Sequence, residues 1–118
     1  MMAAQDFSDT VFVATNFGLG QGDEVLTRKV IVTWFKTLIE LEARPRAVVF
    51  YTAGVKLVTD ESPCLRELEQ LAAAGVRLVA CRTCLEFYEL MDCVEVGEVG
   101  NMATILELQA SAGRVITL

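Results

Sequence analysis

Two cysteines three positions apart give this sequence its clearest capacity for chemistry. The segment Cys81-Arg82-Thr83-Cys84 follows the apolar run Val76–Ala80, which is typical of a buried parallel strand. With Glu86, the segment fits a helix capping box, which predicts Thr83 as the N-cap, Cys84 as the first helical residue and Cys81 on the preceding turn. A helix N-terminus and the cation of Arg82 both favour a thiolate. We therefore expect thiol chemistry, with at least one of the two cysteines reacting below about pH 8.

The composition limits how such a cysteine could be activated. The sequence has four cysteines and no histidine, which excludes Cys–His pairs, Ser–His–Asp triads and histidine metal sites. A zinc site would need a second cysteine pair, but Cys64 and Cys93 are isolated. A thioredoxin-like motif would need a later proline facing it, and Pro45 and Pro63 both precede the motif. We expect no metal and no cofactor, which leaves a persulfide carrier or a pair of buried structural cysteines.

Three other residues with reactive or charged side chains have plainer interpretations. Cys64 lies on the apolar side of a predicted helix and is expected in the core. Cys93 lies in an acidic stretch at a helix end, which is a poor place to stabilise a thiolate, so it is expected to be structural. Lys56 lies in a loop, where it either attracts an anionic sulfur species or is simply solvated.

Two helix starts carry capping residues. Asp23 is expected to cap the first long helix, and Asn101 the helix that begins at Met102, with the Asn101 amide also able to face the site. The loop Gly18–Asp23 lacks the last glycine of a dinucleotide fingerprint and the lysine of a P-loop. We therefore expect this loop to be a tight turn that does not bind a nucleotide.

Charge and hydropathy exclude several classes of partner. The net charge of −6 in 118 residues and the pI near 4.6 argue against a nucleic acid partner. No apolar stretch approaches the roughly 18 residues that cross a membrane, and the N-terminus lacks the pattern of a signal peptide. We therefore expect a cytoplasmic protein that does not bind a membrane. Because 53% of the residues are hydrophobic and the mean hydropathy is +0.44, we also expect an oligomer.

The order of the predicted elements indicates an α/β fold in one domain over residues 1–118. Apolar runs alternate with helical patterns, which is typical of a parallel sheet with helices on both faces. The predicted strands are Val11–Thr15, Ala47–Tyr51, Val76–Ala80, a weak run near Val94–Gly97, and Arg114–Leu118. Ligands of such sheets bind beyond the carboxyl ends of the strands. The segments expected there are Asn16–Asp23, Thr52–Thr59, Cys81–Cys84 and Gly97–Met102.

Three segments of the chain together resemble the DsrE-like sulfur-relay family. They are Phe50–Leu57, Cys81–Tyr88 and Val96–Met102, and the resemblance extends from Val11 to Leu118. Within the family the sequence is most similar to the C-terminal domain of the YedF proteins, which are sulfurtransferase-like proteins of selenium metabolism. The resemblance implies a three-layer α/β/α fold with five parallel strands, assembly as a homotrimer or hexamer, and a reactive cysteine after the third strand.

The resemblance also implies roles for individual residues. Cys81 and Cys84 match the reactive segment, and the neighbouring segments offer Gly54, Lys56, Arg82, Asn101 and Met102 as substrate-binding residues. Arg82 stands where the family usually has a glycine, which alters the charge and access at the site. YedF proteins also carry a TusA-like domain with a Cys-Pro motif, which this sequence does not contain. We therefore expect a separate persulfide donor, such as a TusA-like sulfur carrier protein.

The function expected from the sequence is a sulfurtransferase that relays sulfane sulfur as a cysteine persulfide. The alternative is a non-catalytic binding or scaffold subunit of a DsrE-type oligomer. Two points stay open on the sequence alone: which of Cys81 and Cys84 carries the sulfur, and whether the other cysteine resolves the persulfide by forming a disulfide.

Overall fold

A computed structural model describes residues 6–118, which form alternating strands and helices. The strands are β1 (Thr10–Ala14), β2 (Ala47–Phe50), β3 (Arg77–Cys81), β4 (Glu98–Gly100) and β5 (Arg114–Thr117). The α-helices are α1 (Glu24–Glu40), α2 (Leu65–Ala73), α3 (Arg82–Phe87) and α4 (Met102–Ser111), and Thr52–Val58 and Met91–Cys93 form short 3-10 helices. Residues 1–5 of the predicted domain lie outside the described range.

The five strands form one sheet in the order β4-β3-β2-β1-β5, and every neighbouring pair is parallel. Strands β1 to β4 follow one another toward one edge of the sheet, and β5 forms the opposite edge, beside β1. Because crossovers between parallel strands are right-handed, α1, α2 and α3 lie on one face of the sheet and α4 on the opposite face. The predicted α/β/α architecture with five parallel strands is therefore confirmed.

The core lies between the sheet and the helices on its two faces. β1 and β2 are buried along their whole length, so their sequences are continuous apolar runs. On one face, the Trp34 ring of α1 meets the Phe12 ring of β1 edge-on, with centroids 4.8 Å apart. On the other face, Ile105 and Leu108 are the buried residues of α4. This packing holds the carboxyl ends of the strands on a rigid support.

Both predicted helix caps are present. The Asp23 carboxylate accepts hydrogen bonds from the backbone N–H groups of Val25 and Leu26 at the start of α1. The Asn101 side chain accepts one from the N–H of Thr104 at the start of α4. Each cap satisfies N–H groups that have no partner within the helix, so the side chain fixes where the helix begins.

The predicted capping box at Thr83 is wrong. β3 ends at Cys81 and α3 begins at Arg82, so the strand runs into the helix without an intervening turn. Cys81 is the N-cap, with φ −68° and ψ 121°, and no side chain caps the helix there. Thr83 is therefore a helical residue, and Cys84 is the third residue of α3 instead of the first.

The fourth strand was predicted too early in the sequence. Val94 forms an isolated antiparallel bridge with Thr59 instead of joining the sheet, and β4 spans only Glu98–Gly100. Gly97 precedes the strand with φ +81°, and a Cβ there would lie 2.8 Å from the carbonyl oxygen of Leu78. Gly97 is therefore at the opposite end of the strand from the expected site, and only Asn101 and Met102 of the predicted segment follow β4.

Candidate functional site

Cys84 opens into a cavity at the carboxyl end of the sheet. The side chain is half-buried and contributes to a cavity of about 300 Å³. Its other lining residues are Thr52, Thr83, Phe87 and Tyr88. Most of this lining is aromatic or methyl surface, so the cavity favours an apolar sulfur compound or an apolar segment of another protein.

Thr52 supplies the most specific contact to this cysteine. Its backbone N–H donates a hydrogen bond to Cys84 Sγ across 3.0 Å. Thr52 has φ +50°, in the left-handed region that non-glycine residues rarely adopt. Its hydroxyl binds the carbonyl oxygens of Thr15 at 2.7 Å and Tyr51 at 2.6 Å, which holds this backbone conformation. Strained residues of this kind cluster at functional sites.

The sequence analysis did not identify Thr52. Nothing about its side-chain type distinguishes it from other threonines, and the group that reaches the sulfur is a backbone N–H. The only signal in the sequence is its place directly after β2, at the carboxyl edge of the sheet.

Cys81 has a different environment from Cys84. It is the last residue of β3 and is only 1% exposed. As the N-cap of α3 it lies three positions before Cys84, so the two side chains lie side by side at the start of the helix. The structure therefore brings the two predicted cysteines together, but only Cys84 opens to the cavity.

The surroundings of Cys84 oppose the effect that the helix end and Arg82 are expected to have on a thiol. Burial raises the pKa of the Cys84 thiol above its ordinary value of 9.0, and a side-chain hydrogen bond with the neighbouring Cys81, which favours the protonated form, raises it further. The hydrogen bond from the Thr52 N–H acts in the opposite direction and lowers this pKa, but it does not outweigh the other two causes. These surroundings therefore favour the thiol form of Cys84 over the thiolate.

Lys56 lies beside the Cys84 cavity. Its Nζ is 4.7 Å from the centroid of the Tyr88 ring, and that ring lines the cavity. Lys56 also borders a second cavity of about 300 Å³, together with Arg28 and the carboxylate-bearing Glu24. Arg28 Nε is buried and has no hydrogen-bond partner within residues 6–118. Lys56 and Arg28 thus both border this second cavity, where cations favour the approach of an anion, although Arg28 also pairs with Glu24 at 3.9 Å.

Other predicted site residues lie further from the sulfur or serve the fold. Gly54 is buried, and a Cβ at this position would overlap the carbonyl oxygen of Ala14, so it allows the 3-10 helix Thr52–Val58 to pack on β1. Arg82 is exposed and is not among the residues that line the Cys84 cavity. Asn101 caps α4 and Met102 is 48% exposed, and neither lines that cavity.

Cys64 is a core residue, as the sequence predicts. It is fully buried before α2, with its sulfur 3.5 Å from the Ser62 hydroxyl. Burial raises the pKa of its thiol to about 11. A thiol with this pKa carries almost no thiolate at neutral pH, which agrees with a structural role.

Cys93 is also poorly suited to form a thiolate. It is half-buried in the 3-10 helix Met91–Cys93. Burial raises the pKa of its thiol, and the nearby carboxylates of Asp60 and Asp92 raise it further. This agrees with the prediction that the acidic stretch disfavours a charged sulfur.

Within residues 6–118, no helix is both long enough and apolar enough to span a bilayer.

A comparison with curated protein sequences gives no significant match. Two solved structures share the fold. The YchN protein from E. coli has 18% identity and a TM-score of 0.62, over 92% of this chain and 98% of that one. MTH1491 from Methanobacterium thermoautotrophicum, described as a protein of unknown function, has 24% identity and a TM-score of 0.65, over 92% and 97%.

The sequence also matches a protein-family model over most of its length. The match covers residues 35–118, which include the Thr52 segment and both cysteines of the site. The parallel sheet and the shared fold agree with this match, and the chain belongs to the DsrE/DsrF-like family.

Proposed function

We propose that this protein is a sulfurtransferase of the sulfur-relay type, which carries sulfane sulfur as a persulfide on Cys84. The observation that carries the proposal is the Cys84 sulfur, which opens to a cavity and accepts a hydrogen bond of 3.0 Å from the Thr52 N–H. An accessible sulfur with a fixed N–H donor can hold a negative charge where a thiolate or a persulfide anion forms.

Cys84 is assigned as the carrier because a relay cysteine must touch two partners in turn. Cys81 is 1% exposed, so neither a donor nor an acceptor can reach its sulfur without a local rearrangement. Cys84 opens to a cavity large enough for the terminal atoms of a persulfide. These two observations support Cys84 over Cys81 in the choice that the sequence leaves open.

The transfer step is an exchange between two sulfur atoms. The Cys84 thiolate attacks the terminal sulfur of a donor persulfide, a bond to that sulfur forms, and the donor leaves as a thiolate. The Thr52 N–H faces the attacking sulfur. The Lys56 ammonium, 4.7 Å from the Tyr88 ring at the edge of the cavity, attracts an anionic donor. The raised pKa of Cys84 leaves little thiolate, but the thiolate that forms is more nucleophilic.

A protein is the kind of donor that the surface around Cys84 fits. Phe87 lines the cavity and is 80% exposed, so its ring is accessible to a partner that approaches Cys84. An aromatic side chain beside the reactive sulfur can anchor a partner while the sulfur is transferred. We infer that a TusA-like sulfur carrier or another persulfide protein docks there. The same chemistry would accept selenium in place of sulfur.

Mass spectrometry after incubation with glutathione persulfide tests the proposal. At the earliest times after mixing, we expect one added sulfur atom, mapped to the peptide that contains Cys84 and absent from the Cys84→Ser variant. The Cys93→Ser variant is the matched control, since it also removes a half-buried thiol and should still be loaded. A gain of sulfur that persists in Cys84→Ser, or no gain at any cysteine, would overturn the assignment.

The second candidate is a non-catalytic subunit of a DsrE-type assembly, and exposed apolar residues favour it. Val25, Leu26 and Val30 of α1 are 62%, 57% and 37% exposed, and Leu106 of α4 is 58% exposed. Surfaces of this kind are typical of subunit interfaces. We infer assembly as a homotrimer or hexamer, which a scaffold subunit requires and a sulfur relay also allows. Light scattering that gives a monomer at micromolar concentration would contradict the assembly, and loading of Cys84 decides between the relay and the scaffold.

A further inference from the structure

The position of Cys81 beside Cys84 suggests a reaction beyond the carriage of sulfur. Cys81 is the N-cap of α3 and Cys84 is its third residue. Side chains at these two positions both lie against the first turn of the helix, and the Cys81 side chain interacts directly with the Cys84 thiol. Cys81 also contributes to the raised pKa of the Cys84 thiol, which agrees with contact between the two side chains.

The two cysteines differ in what can reach them. Cys84 opens to the cavity, whereas Cys81 is 1% exposed and lies at the end of a strand that is buried on both faces. The Cys81 sulfur is therefore protected from external thiols, and its accessible reaction partner is the sulfur of Cys84. This asymmetry is typical of a dithiol in which one cysteine meets the substrate and the other resolves the product.

We propose that Cys81 attacks the persulfide on Cys84, so that the protein releases sulfide and forms a Cys81–Cys84 disulfide. This inference rests on the proposed function, because it begins from the Cys84 persulfide. The Cys81 sulfur forms a bond to Cys84 Sγ, and the bond from Cys84 Sγ to the outer sulfur breaks. The outer sulfur leaves as hydrosulfide and takes up the proton of the Cys81 thiol, giving hydrogen sulfide.

The electrons in this step balance without an external oxidant. The sulfane sulfur gains two electrons and becomes sulfide, and the two cysteines lose two electrons and become a disulfide. Reduction of the Cys81–Cys84 disulfide requires a dithiol reductant, either a small dithiol or a protein with a cysteine pair. The reductant attacks the accessible sulfur of Cys84, becomes a disulfide itself, and returns Cys81 and Cys84 to thiols. With selenium as the carried atom, the product would be hydrogen selenide.

The backbone is compatible with this disulfide. Disulfides need Cα atoms about 4.4–6.8 Å apart, and positions three apart at a helix start fall in this range. The bond closes within a single stretch of chain, from the end of β3 to the first turn of α3. The closed form would also block reloading of Cys84, so each loading step requires a reduction step first.

The test compares wild type, Cys81→Ala, Cys81→Ser and Cys84→Ser, each incubated with glutathione persulfide. Free sulfide and the mass of the 81–84 peptide are followed with time. We expect wild type to release one sulfide per chain and to lose two hydrogens from that peptide, with no lasting persulfide. In the Cys81 variants the Cys84 persulfide should persist at least about tenfold longer, since they lack an intramolecular attacking thiol. Thermal unfolding of each variant identifies one that retains the fold.

The outcomes separate this inference from the proposed function. If wild type and the Cys81 variants all keep a stable Cys84 persulfide and release no sulfide, the resolving role of Cys81 is wrong and the relay stands. If a folded Cys81 variant takes up no sulfur at Cys84, both proposals are wrong. The wild-type peptide map depends on no substitution, so a disulfide that links any other cysteine pair also overturns the inference.

Discussion

The backbone N–H of Thr52 donates a hydrogen bond to the sulfur of Cys84, and this contact joins the end of β2 to the first turn of α3. The two residues are 32 positions apart in the sequence. Thr52 adopts a positive φ of 50°, a conformation that costs a non-glycine residue about 1–3 kcal/mol. The fold thus tolerates local strain where an N–H is directed at an accessible sulfur.

Substitutions at Thr52 should alter the reactivity of Cys84 through the backbone. In Thr52→Val the side chain stays branched at Cβ, but the hydroxyl contacts to Thr15 and Tyr51 that hold the positive φ are lost. We expect the N–H to turn away, the pKa of Cys84 to rise further, and its alkylation to slow by roughly two- to tenfold. Thr52→Gly keeps the N–H and adopts positive φ without strain, so its rate should stay closer to wild type. Equal rates in wild type and Thr52→Val would contradict this role.

The charge of Lys56 should affect how fast an anionic donor loads Cys84. We expect Lys56→Met to reduce the rate of loading by glutathione persulfide, with a smaller effect at high salt, because the attraction is electrostatic. Lys56→Arg keeps the charge and should retain most of the rate. The matched control is Lys36→Met, which removes an exposed cation that lines neither cavity at the site. A loss of rate in Lys36→Met equal to that in Lys56→Met would indicate a general charge effect.

Removal of the Phe87 ring should slow sulfur transfer from protein donors but not from small donors. Because Phe87 is 80% exposed, Phe87→Ala should change the free energy of unfolding by no more than about 0.5 kcal/mol. We expect loading by glutathione persulfide to be unchanged and transfer from a persulfide-bearing carrier protein to slow by about tenfold or more. Leu106→Ala removes another exposed apolar side chain, on α4, and serves as the control. Unchanged transfer from the carrier protein would show that Phe87 is not a docking residue.

Cys64 should make the stability of the protein depend on alkaline pH. Burial raises its pKa from 9.0 to about 11 in the folded protein. The folded state therefore holds the Cys64 proton more tightly than the unfolded state, and this contribution is complete below pH 9.0 and lost as the pH rises through about 11. The loss amounts to roughly 2–3 kcal/mol.

Denaturant unfolding of wild type and Cys64→Ala under reducing conditions measures this effect. All other titratable residues are the same in the two proteins, so the difference between the two curves isolates Cys64. Wild type should lose more stability than Cys64→Ala between pH 9 and 11, and parallel curves would show that the Cys64 thiol titrates normally.

Most of the fold could be predicted from the sequence because its signals are local. β1, β2, β3 and β5 are apolar runs bounded by turn residues, and each predicted strand lies within one residue of the observed one. The Asp23 and Asn101 caps were predicted because a cap acts on residues two or three positions away. β4 was misplaced because it has three residues at the sheet edge, where little apolar burial distinguishes it from the preceding segment.

The site was harder to predict because its decisive features are not local. The Thr83 pattern matches a capping box, but the helix start is set by the backbone, which passes directly from β3 into α3 at Cys81. The pKa of Cys84 depends on its burial and on a neighbouring thiol. The cysteine pair itself was visible in the sequence, whereas the difference in exposure between its members required the fold.

Alkylation of the native protein, followed by mass mapping of each cysteine over time, tests most directly whether Cys84 is the reactive thiol. We expect Cys84 to be modified first, with Cys64 and Cys81 protected until the protein unfolds. Because its pKa lies above 9.0, the rate at Cys84 should still be rising with pH at that value. Faster modification of Cys64 or Cys81 than of Cys84 in the folded protein would contradict the assignment of Cys84 as the sulfur carrier.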